Sequence, residues 1–332
     1  MRLPLVAVTT IVLASCGSAP HHRSAQVRIA VGGRAALDFI PVYLASSLGF
    51  FRKEGLEVTV QDLAGTAKAM QSLLGGSSDV VAGGYDAAVQ MTVEGQPIQA
   101  IATLERWPPL AVVAAAASAR QLRTIRDLKG AVVGVSSPGS SNHRFINYLL
   151  AKNGMSLSDI STVGVGVNFS MAAAIQHGHV DAAVAGPLGM ALLSKNPRLI
   201  TLADCRTAEG ARQTLGTANL PFIVLMVRPE WIRENPETIS KLGQATRQTL
   251  AWIHEHSAED VRDAMLPEYT GQDAAVYVRA VRDILPAFSA DGIMPADGPA
   301  NVKEFLGVSD RRVRDASIDL KATYTNEFVR AR

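Results

Sequence analysis

The chain has 332 residues, of which 48% are hydrophobic and 19% are charged, and its formal net charge is +2. This length exceeds what one small hydrophobic core usually supports, so it favours two lobes. The nearly balanced charge and the aromatic share of 5% exclude a nucleic-acid-binding surface built on a basic patch or on stacked rings.

The first sixteen residues have the pattern of a targeting segment. Arg2 precedes an apolar run over residues 3–13, which is too short to span a bilayer and is typical of a signal peptide. The run leads into LASC, which ends at Cys16 and resembles the bacterial lipobox, whose cysteine becomes the lipidated first residue of the mature chain. We therefore expect a signal peptide over residues 1–15 and a lipidated tether over residues 16–25. A plain secretory signal with a nearby cysteine is the alternative.

From residue 26 onward, strand-like and helix-like segments alternate, which predicts mostly parallel sheets covered by helices. Apolar β-branched runs predict strands, and apolar residues at helical spacing predict helices. The first half contains predicted strands at 26–33, 57–63, 79–84 and 97–104 and helices at 40–51, 66–75 and 86–94. A similar succession follows, with strands at 130–135, 159–167, 180–186 and 198–204 and helices at 141–153, 170–177 and 187–194.

The last third of the chain is mostly helical in pattern. It holds one more predicted strand at 220–227, a helix that begins at Asn235-Pro236, a helix at 273–285, and a segment at 298–332 that looks helical and then frays. The strands at 108–116 and 220–227 are the natural connections between two lobes. We therefore expect a discontinuous first lobe of residues 26–112 with 222–332 and a second lobe of residues 113–221.

Two short stretches, one in each half, echo each other. GSSDVVAGG (76–84) and GHVDAAVAG (178–186) share a glycine, an aspartate three positions later and a small apolar strand that ends in glycine. Each glycine can end a helix, each aspartate can begin a strand, and each strand is followed by a turn at its carboxyl end. Because the stretches fall at the same point of each succession, they predict two lobes of similar build.

Several stretches resemble a known family. They are LASSLGFFRKEGLEVTVQDL, LLGGSSDVVAGGYDAAVQMTVEGQPIQAIA, DLKGAVVGVSSPGSSNHRFINYLLAKNGM and AAIQHGHVDAAVAGP. In this order, over residues 27–260, they resemble the periplasmic substrate-binding proteins of ABC importers, in the nitrate/sulfonate/taurine (NMT1/THI5-like) group. The resemblance implies an α/β, two-lobed periplasmic-binding-protein fold of type II. Each lobe would be a mostly parallel sheet flanked by helices, and two crossing strands would join the lobes.

The resemblance also implies a solute receptor rather than an enzyme. It implies a lipid-anchored monomer of the periplasm or cell envelope that captures a small anionic solute, such as a sulfonate, taurine or nitrate, between its lobes. Its partners would be ABC permease and ATPase subunits, its membrane contact would be the lipid anchor alone, and no cofactor is expected. Two alternatives stay open: a neutral heteroaromatic ligand, such as a thiamine-precursor pyrimidine or riboflavin, and a sensory role for the same clamp.

Motifs of catalysis and metal binding are missing from the sequence. It contains no G-x-S-x-G elbow, no Walker loop and no zinc pattern. His177 and His179 flank a glycine without an apparent third ligand, and His254 and His256 lack the spacing of a helical zinc motif. We therefore predict neither an enzyme nor a metal site.

The candidate binding residues lie in turns that follow predicted strands, because ligands of open α/β sheets bind outside the carboxyl ends of the strands. In the first lobe they are Arg34, Asp38, Phe39, Gly65, Thr66, Tyr85 and Asp86. In the second lobe they are Ser137, Gly139, Ser140, Ser141, Asn142, His143, Asn168, Phe169, Gly186 and Pro187.

The start of the helix at 141 is the leading candidate among these turns. Small polar residues precede it, and the unpaired N–H groups and dipole of a helix start attract anions. A plain serine cap is the competing interpretation. In sulfonate-binding members of the family a Gly-Ser-Ser or Gly-Ser-Thr helix start holds the anionic group, and Gly139-Ser140-Ser141 matches it.

Five other side chains have competing interpretations. Arg34 is either a bidentate donor for an anion or a solvated loop cation. Asp38 either interacts with its own helix dipole or, if it faces the cleft, suits the amine of a zwitterionic solute. Phe169 either covers an apolar part of the ligand or belongs to the core. Thr66 and Asp86 either contact the ligand or cap helices.

Overall fold

The structure is a computed structural model, and it describes residues 24–33, 36–63, 65–115, 120–194, 199–270 and 273–330. The predicted signal peptide, Cys16 and Arg34 lie outside the described residues. What the sequence predicts for them therefore stays a prediction.

Within these ranges the chain forms ten strands and fifteen α-helices. The strands are β1 Ala25–Val31, β2 Leu56–Asp62, β3 Val80–Gly84, β4 Gln99–Thr103, β5 Ala111–Ala115, β6 Val132–Val135, β7 Ser161–Gly164, β8 Ala182–Ala185, β9 Leu199–Asp204 and β10 Ile223–Val227. The helices are α1 Ile40–Ser47, α2 Phe50–Lys53, α3 Thr66–Leu74, α4 Tyr85–Val93, α5 Ser141–Lys152, α6 Phe169–Gln176, α7 Pro187–Leu193, α8 Ala208–Leu215, α9 Pro229–Glu234, α10 Pro236–Glu255, α11 Ala258–Ala264, α12 Pro267–Thr270, α13 Ala274–Ile284, α14 Gly298–Gly307 and α15 Arg311–Asp315.

The strands form two five-stranded sheets, ordered β2-β1-β3-β10-β4 and β7-β6-β8-β5-β9. In the first sheet β1 pairs in parallel with β2 and β3, whereas β10 pairs antiparallel with β3 and β4. The second sheet repeats this arrangement, with β6 parallel to β7 and β8 and β5 antiparallel to β8 and β9. Each sheet is mixed because the strand that arrives from the other lobe runs against its neighbours.

The echoed stretches occupy equivalent places in the two sheets. Asp79 precedes β3, and its carboxylate accepts a hydrogen bond of 2.8 Å from the backbone N–H of Arg28 in β1. Asp181 precedes β8, and its carboxylate accepts a bond of 2.9 Å from the backbone N–H of Val132 in β6. In both lobes an aspartate therefore ties a central strand to its parallel neighbour.

Helices cover both faces of the first sheet, and two apolar clusters extend into the second lobe. The first, which we call the α13-side cluster, packs α1, α10 and α13 against the sheet and includes Phe39, Tyr277 and Phe288. It also contains Ala191 of α7, because α7 packs along α13. The second cluster joins α3, α4 and α14 to α5 of the second lobe.

The C-terminal segment docks onto the first lobe, so the fraying predicted within residues 298–332 is wrong for its described part. Tyr324 forms a parallel bridge with Ala100 of β4, and the N–H of Thr325 donates to the Ala100 carbonyl over 2.8 Å. The side chain of Val329 is buried in the α13-side cluster. The helical pattern ends in this segment, and contacts with residues far away in the chain hold it instead.

Candidate functional site

Three turns of the first lobe meet at the carboxyl ends of β1 and β3. Gly32 and Gly83 both lie against Thr66, the first residue of α3. A Cβ atom at Gly32 would come within 3.0 Å of the Thr66 backbone nitrogen, and one at Gly83 within 3.2 Å of its Cγ2. Gly65 has a φ of 110°, which favours glycine, and it turns the chain into α3. The glycines therefore allow the three turns to close on one another.

In the second lobe, residues of the serine-rich turn before α5 form hydrogen bonds with one another and with the first turn of the helix. Ser140 caps the helix, since its Oγ accepts from the backbone N–H of His143 over 3.3 Å and from the hydroxyl of Ser136 over 2.8 Å. The N–H of Gly139 donates to Nδ1 of His143 over 2.9 Å. Burial, and secondarily the charge of Arg144, lower the pKa of His143 and favour the neutral ring that this bond needs.

The two lobes are joined across the cleft by a hydrogen-bonded bridge. Asp86 opens α4 in the first lobe, and its Oδ2 accepts from the Ser141 hydroxyl over 3.2 Å and from Nη1 of Arg144 over 2.6 Å. The other guanidinium nitrogen, Nη2, donates to Oε1 of Gln90 over 2.7 Å. Asp86, Ser141, Gln90 and Arg144 thus form what we call the interlobe bridge. Arg144 is a member of this bridge that the sequence did not single out.

Tyr85 belongs to the core rather than to an open surface. Its side chain is fully buried, and its hydroxyl is hydrogen-bonded to Thr323 of the docked C-terminal segment. Burial raises the pKa of the Tyr85 phenol, so it stays neutral. Tyr85 can support the neighbouring Asp86, but it is not exposed for contact with a solute in this conformation.

The turn after β7 presents an exposed aromatic ring. Phe169 is 68% exposed and opens α6, next to Val167, which is 47% exposed. Between them Asn168 is buried and has a φ of 53°, the one positive φ outside glycine among the described residues. Strained backbone of this kind is common where a side chain is held for contact with a ligand. Phe169 is therefore free to cover a solute and is not part of the core.

The remaining predicted residues of the second lobe line the same turns. Ser137 and Gly139 are exposed, and Asn142 is half-buried in the first turn of α5. Gly186 precedes α7, and Pro187 is its buried first residue. These positions agree with the turns that the sequence indicates.

Asp38 and Phe39 lie in the helical turn Leu37–Phe39 that follows β1. Phe39 is buried, and Asp38 is half-buried. Burial of the Asp38 carboxyl raises its pKa to about 6. A second carboxyl, that of Glu105, is fully buried, and burial together with the negative charge of Asp38 raises its pKa well above 4.5. Sequence reasoning missed Glu105, although the charged pair Glu105-Arg106 inside the apolar run IATLERWPPLAVV is a visible signal.

The described residues contain neither a metal-binding cluster nor a helix that could span a membrane. No group of three or more His, Cys, Asp or Glu side chains in this part of the chain could hold a metal ion. No helix there has the length and apolar character needed to cross a membrane.

The chain is similar to known proteins over most of its length. It matches the family model described as NMT1/THI5 like over residues 36–260. The riboflavin-binding protein RibY of Chloroflexus aurantiacus is 24% identical to it over 318 residues, which cover 92% of this chain and 86% of that protein.

Two solved structures extend this similarity to the fold. A protein of Bordetella bronchiseptica RB50 superposes with a TM-score of 0.84 at 31% identity, over 92% of this chain and 96% of the other. The periplasmic aliphatic sulphonate binding protein SsuA of Escherichia coli superposes with a TM-score of 0.72 at 18% identity, over 90% and 97%. At the lower identity the likeness concerns the two-lobed fold alone.

Proposed function

Because the chain belongs to the NMT1/THI5-like family of ABC-type periplasmic solute-binding proteins, we propose that it captures one small solute between its lobes and delivers it to an ABC permease. Members of this family bind solutes and are not enzymes. The mechanism is binding followed by lobe closure, a hinge motion favoured by ligand contacts made to both lobes.

The observation that carries this proposal is the interlobe bridge. Asp86 lies in the first turn of α4 in the first lobe, Ser141 begins α5 in the second lobe, and the Ser141 hydroxyl is 3.2 Å from Oδ2 of Asp86. Strand ends that face each other in this way enclose the space in which open α/β proteins bind ligands. A solute seated there touches both lobes and can stabilise the closed form.

We favour an organic solute without a strong negative charge. The start of α5 already faces an anion, since the Asp86 carboxylate accepts from Ser141 and Arg144. Asp38 and Glu105 add carboxyls after β1 and β4 in the same lobe. The exposed ring of Phe169 suits a flat apolar group, and a relative named as riboflavin-binding aligns over nearly the whole chain.

A small anion such as a sulfonate, taurine or nitrate is the second candidate. The observation in its favour is the guanidinium of Arg144 beside the start of α5, which together supply positive charge and N–H donors. An anion there would have to displace the Asp86 carboxylate from Arg144.

A ligand screen separates the two candidates. The purified protein is mixed with nitrate, methanesulfonate, taurine, riboflavin and an aminopyrimidine, and thermal unfolding and small-angle X-ray scattering are recorded for each. We expect a rise in Tm and a smaller radius of gyration with a heteroaromatic compound and no response to the anions. A response to anions alone would reverse the choice of solute, and a complete lack of response would contradict the proposed function.

We also propose that Cys16 carries the lipid anchor and that the protein acts as a monomer beside its permease. Mass spectrometry of the protein from membranes should show an acylated Cys16 at the new N-terminus, and Cys16→Ala should release the protein from the membrane fraction. A sensory role is the alternative use of the same clamp; adjacent permease and ATPase genes would favour import.

A further inference from the structure

Two buried polar side chains and a half-buried one lie in or beside the α13-side cluster. Asp38 occupies the turn after β1, Glu105 follows β4 where the chain leaves the first lobe, and Tyr277 lies on α13. Glu105 has no exposed surface, and Tyr277 is 3% exposed. Neither oxygen of the Glu105 carboxyl, nor the Tyr277 hydroxyl, has a hydrogen-bond partner among the described residues.

The packing brings these three groups to one side of the crossing strands. Glu105 pairs with Phe288 in an antiparallel bridge, so the two side chains project from the same face, and Phe288 belongs to the α13-side cluster. Helix α13, which carries Tyr277, packs against the turn that holds Asp38. The Asp38 charge is close enough to contribute, after burial, to the raised pKa of Glu105.

Unpaired polar groups at this depth need an explanation. More than nine in ten buried polar groups in folded proteins are hydrogen-bonded, and leaving one unpaired costs its full desolvation penalty. Here two carboxyls and a phenol lie near one another, yet neither oxygen of the Glu105 carboxyl has a hydrogen-bond partner among the described residues. Such a set requires an occupant that donates to the carboxyls and can accept from the phenol.

The α13-side cluster, and with it the three polar groups, lies where the two lobes meet. The α13-side cluster includes Ala191 of α7, and Leu188 of the same helix packs against it, so it lies at the boundary of the two lobes. A group that occupies this boundary is in contact with residues of both lobes.

We propose that Asp38, Glu105 and Tyr277 form a subsite that receives the N–H-bearing edge of the solute, such as an aromatic amine next to a ring nitrogen. The carboxyl oxygens accept from the amine, and the Tyr277 hydroxyl donates to the ring nitrogen. The inference rests on the proposed function and deepens it, because it names the chemical group by which the solute is selected.

A matched pair of probes tests the subsite. In 4-amino-2-methylpyrimidine and 2,4-dimethylpyrimidine a methyl group replaces the amine at nearly constant shape. We expect calorimetry with the wild-type protein to show about tenfold preference for the amine, the effect of one buried hydrogen bond. Glu105→Met removes the acceptor and should bind both compounds alike. Tyr277→Phe should weaken both compounds and keep the preference.

Controls separate the inference from the proposed function. Glu209→Gln, on the exposed face of α8, should leave the preference unchanged. Lack of preference in the wild type, or a preference that survives in Glu105→Met, overturns the subsite. If both pyrimidines fail while another solute still closes the lobes in scattering, the subsite falls and the proposed function stands.

Discussion

Glu105 lies in an apolar run and is buried with its carboxyl unpaired by any described residue, so it should set part of the pH dependence of stability. Burial first, and the charge of Asp38 second, raise its pKa well above 4.5. The folded protein therefore keeps this proton at a pH where the unfolded chain has lost it. The contribution of the neutral carboxyl to the free energy of unfolding is therefore fully present below pH 4.5. It is lost as the pH rises through the pKa that Glu105 has in the folded protein.

Glu105→Gln should accordingly stabilise the ligand-free protein at high pH. The amide cannot ionise and so avoids the cost of a buried charge or of retaining the proton; we expect a gain of about 1–3 kcal/mol in the free energy of unfolding near pH 8. The gain should vanish near pH 4.5, where the wild-type carboxyl is neutral in both states. Urea unfolding across this range measures it, and an equal gain at every pH would contradict the assignment.

His143 should act in the opposite direction. Burial, followed by the charge of Arg144, lowers its pKa below 6.5. As the pH falls, the unfolded chain therefore binds a proton at His143 before the folded protein does. The contribution of the neutral ring to the free energy of unfolding is fully present above pH 6.5 and is lost as the pH falls through the pKa of the folded state. Protonation also breaks the bond from the Gly139 N–H, because Nδ1 can no longer accept.

Replacing His143 by asparagine should remove this acid sensitivity. The amide oxygen of Asn can accept from Gly139 without titrating, so we expect the loss of about 0.5–1.5 kcal/mol below pH 6.5 to disappear, the value of one hydrogen bond. Thermal unfolding between about pH 5 and pH 8 is the measurement. His179→Asn, in an exposed turn, is the control and should keep the wild-type dependence. An unchanged pH profile in His143→Asn would refute the role of the ring.

Sequence patterns place residues in turns but do not reveal their partners. Asp86 and Ser141 can be assigned to the ends of strands from local order alone. Arg144 cannot, because its partner Asp86 is 58 positions away and its own spacing is that of an ordinary helix residue. The long-range ion pair is visible only once the sheets have brought α4 and α5 together.

At the scale of elements, the repeated strand–turn unit is the feature that the sequence predicts best. Alternating apolar runs identify the strands, and helical spacing identifies α5, α10 and α13 with bounds within a few residues. Helix α8 has no comparable apolar face, because AEGARQTL is short and polar, so the pattern misses it. It forms nevertheless, with Thr207 as its cap and Ala211 and Leu215 buried.

The two echoed strands end in glycines that should respond differently to substitution. A Cβ atom at Gly84 would collide with Oδ1 of Asp86 and come within 3.1 Å of the Ser141 hydroxyl. At Gly186, its counterpart, the nearest neighbouring atom would be Cδ2 of Leu110, 4.0 Å away. The difference arises because the interlobe bridge forms at only one of the two equivalent turns.

Gly84→Ala should therefore destabilise the protein and disturb the interlobe bridge. We expect a loss of about 1–3 kcal/mol, typical of overpacking, and an increased radius of gyration from a less closed cleft. Gly186→Ala is the matched control and should change neither quantity measurably. Thermal unfolding and small-angle X-ray scattering provide the two readouts. Equal effects of the two substitutions would show that the contact at Gly84 does not hold the lobes.

At the scale of the whole molecule, polar contacts join the lobes on both sides of the crossing strands. On one side is the interlobe bridge, where Arg144 meets Asp86 at 2.6 Å. On the other, Arg206 after β9 meets Asp283 of α13 at 2.7 Å. Because both ion pairs join residues of different lobes, each stabilises the closed arrangement of the lobes.

The Arg144–Asp86 ion pair should couple folding stability to lobe closure. Its side chains are 24% and 9% exposed, so it is better shielded from solvent than a surface pair. In a double-mutant cycle of Arg144→Gln and Asp86→Asn, we expect a coupling energy of about 1 kcal/mol, and a larger radius of gyration in each variant. The control cycle uses Arg282 and Glu259, an exposed pair at 2.7 Å between α13 and α11. That pair lies within the first lobe, so its coupling should be near zero and its scattering unchanged. Equal coupling in the two cycles, or unchanged scattering in Arg144→Gln, would mean that the lobes are held by apolar packing alone.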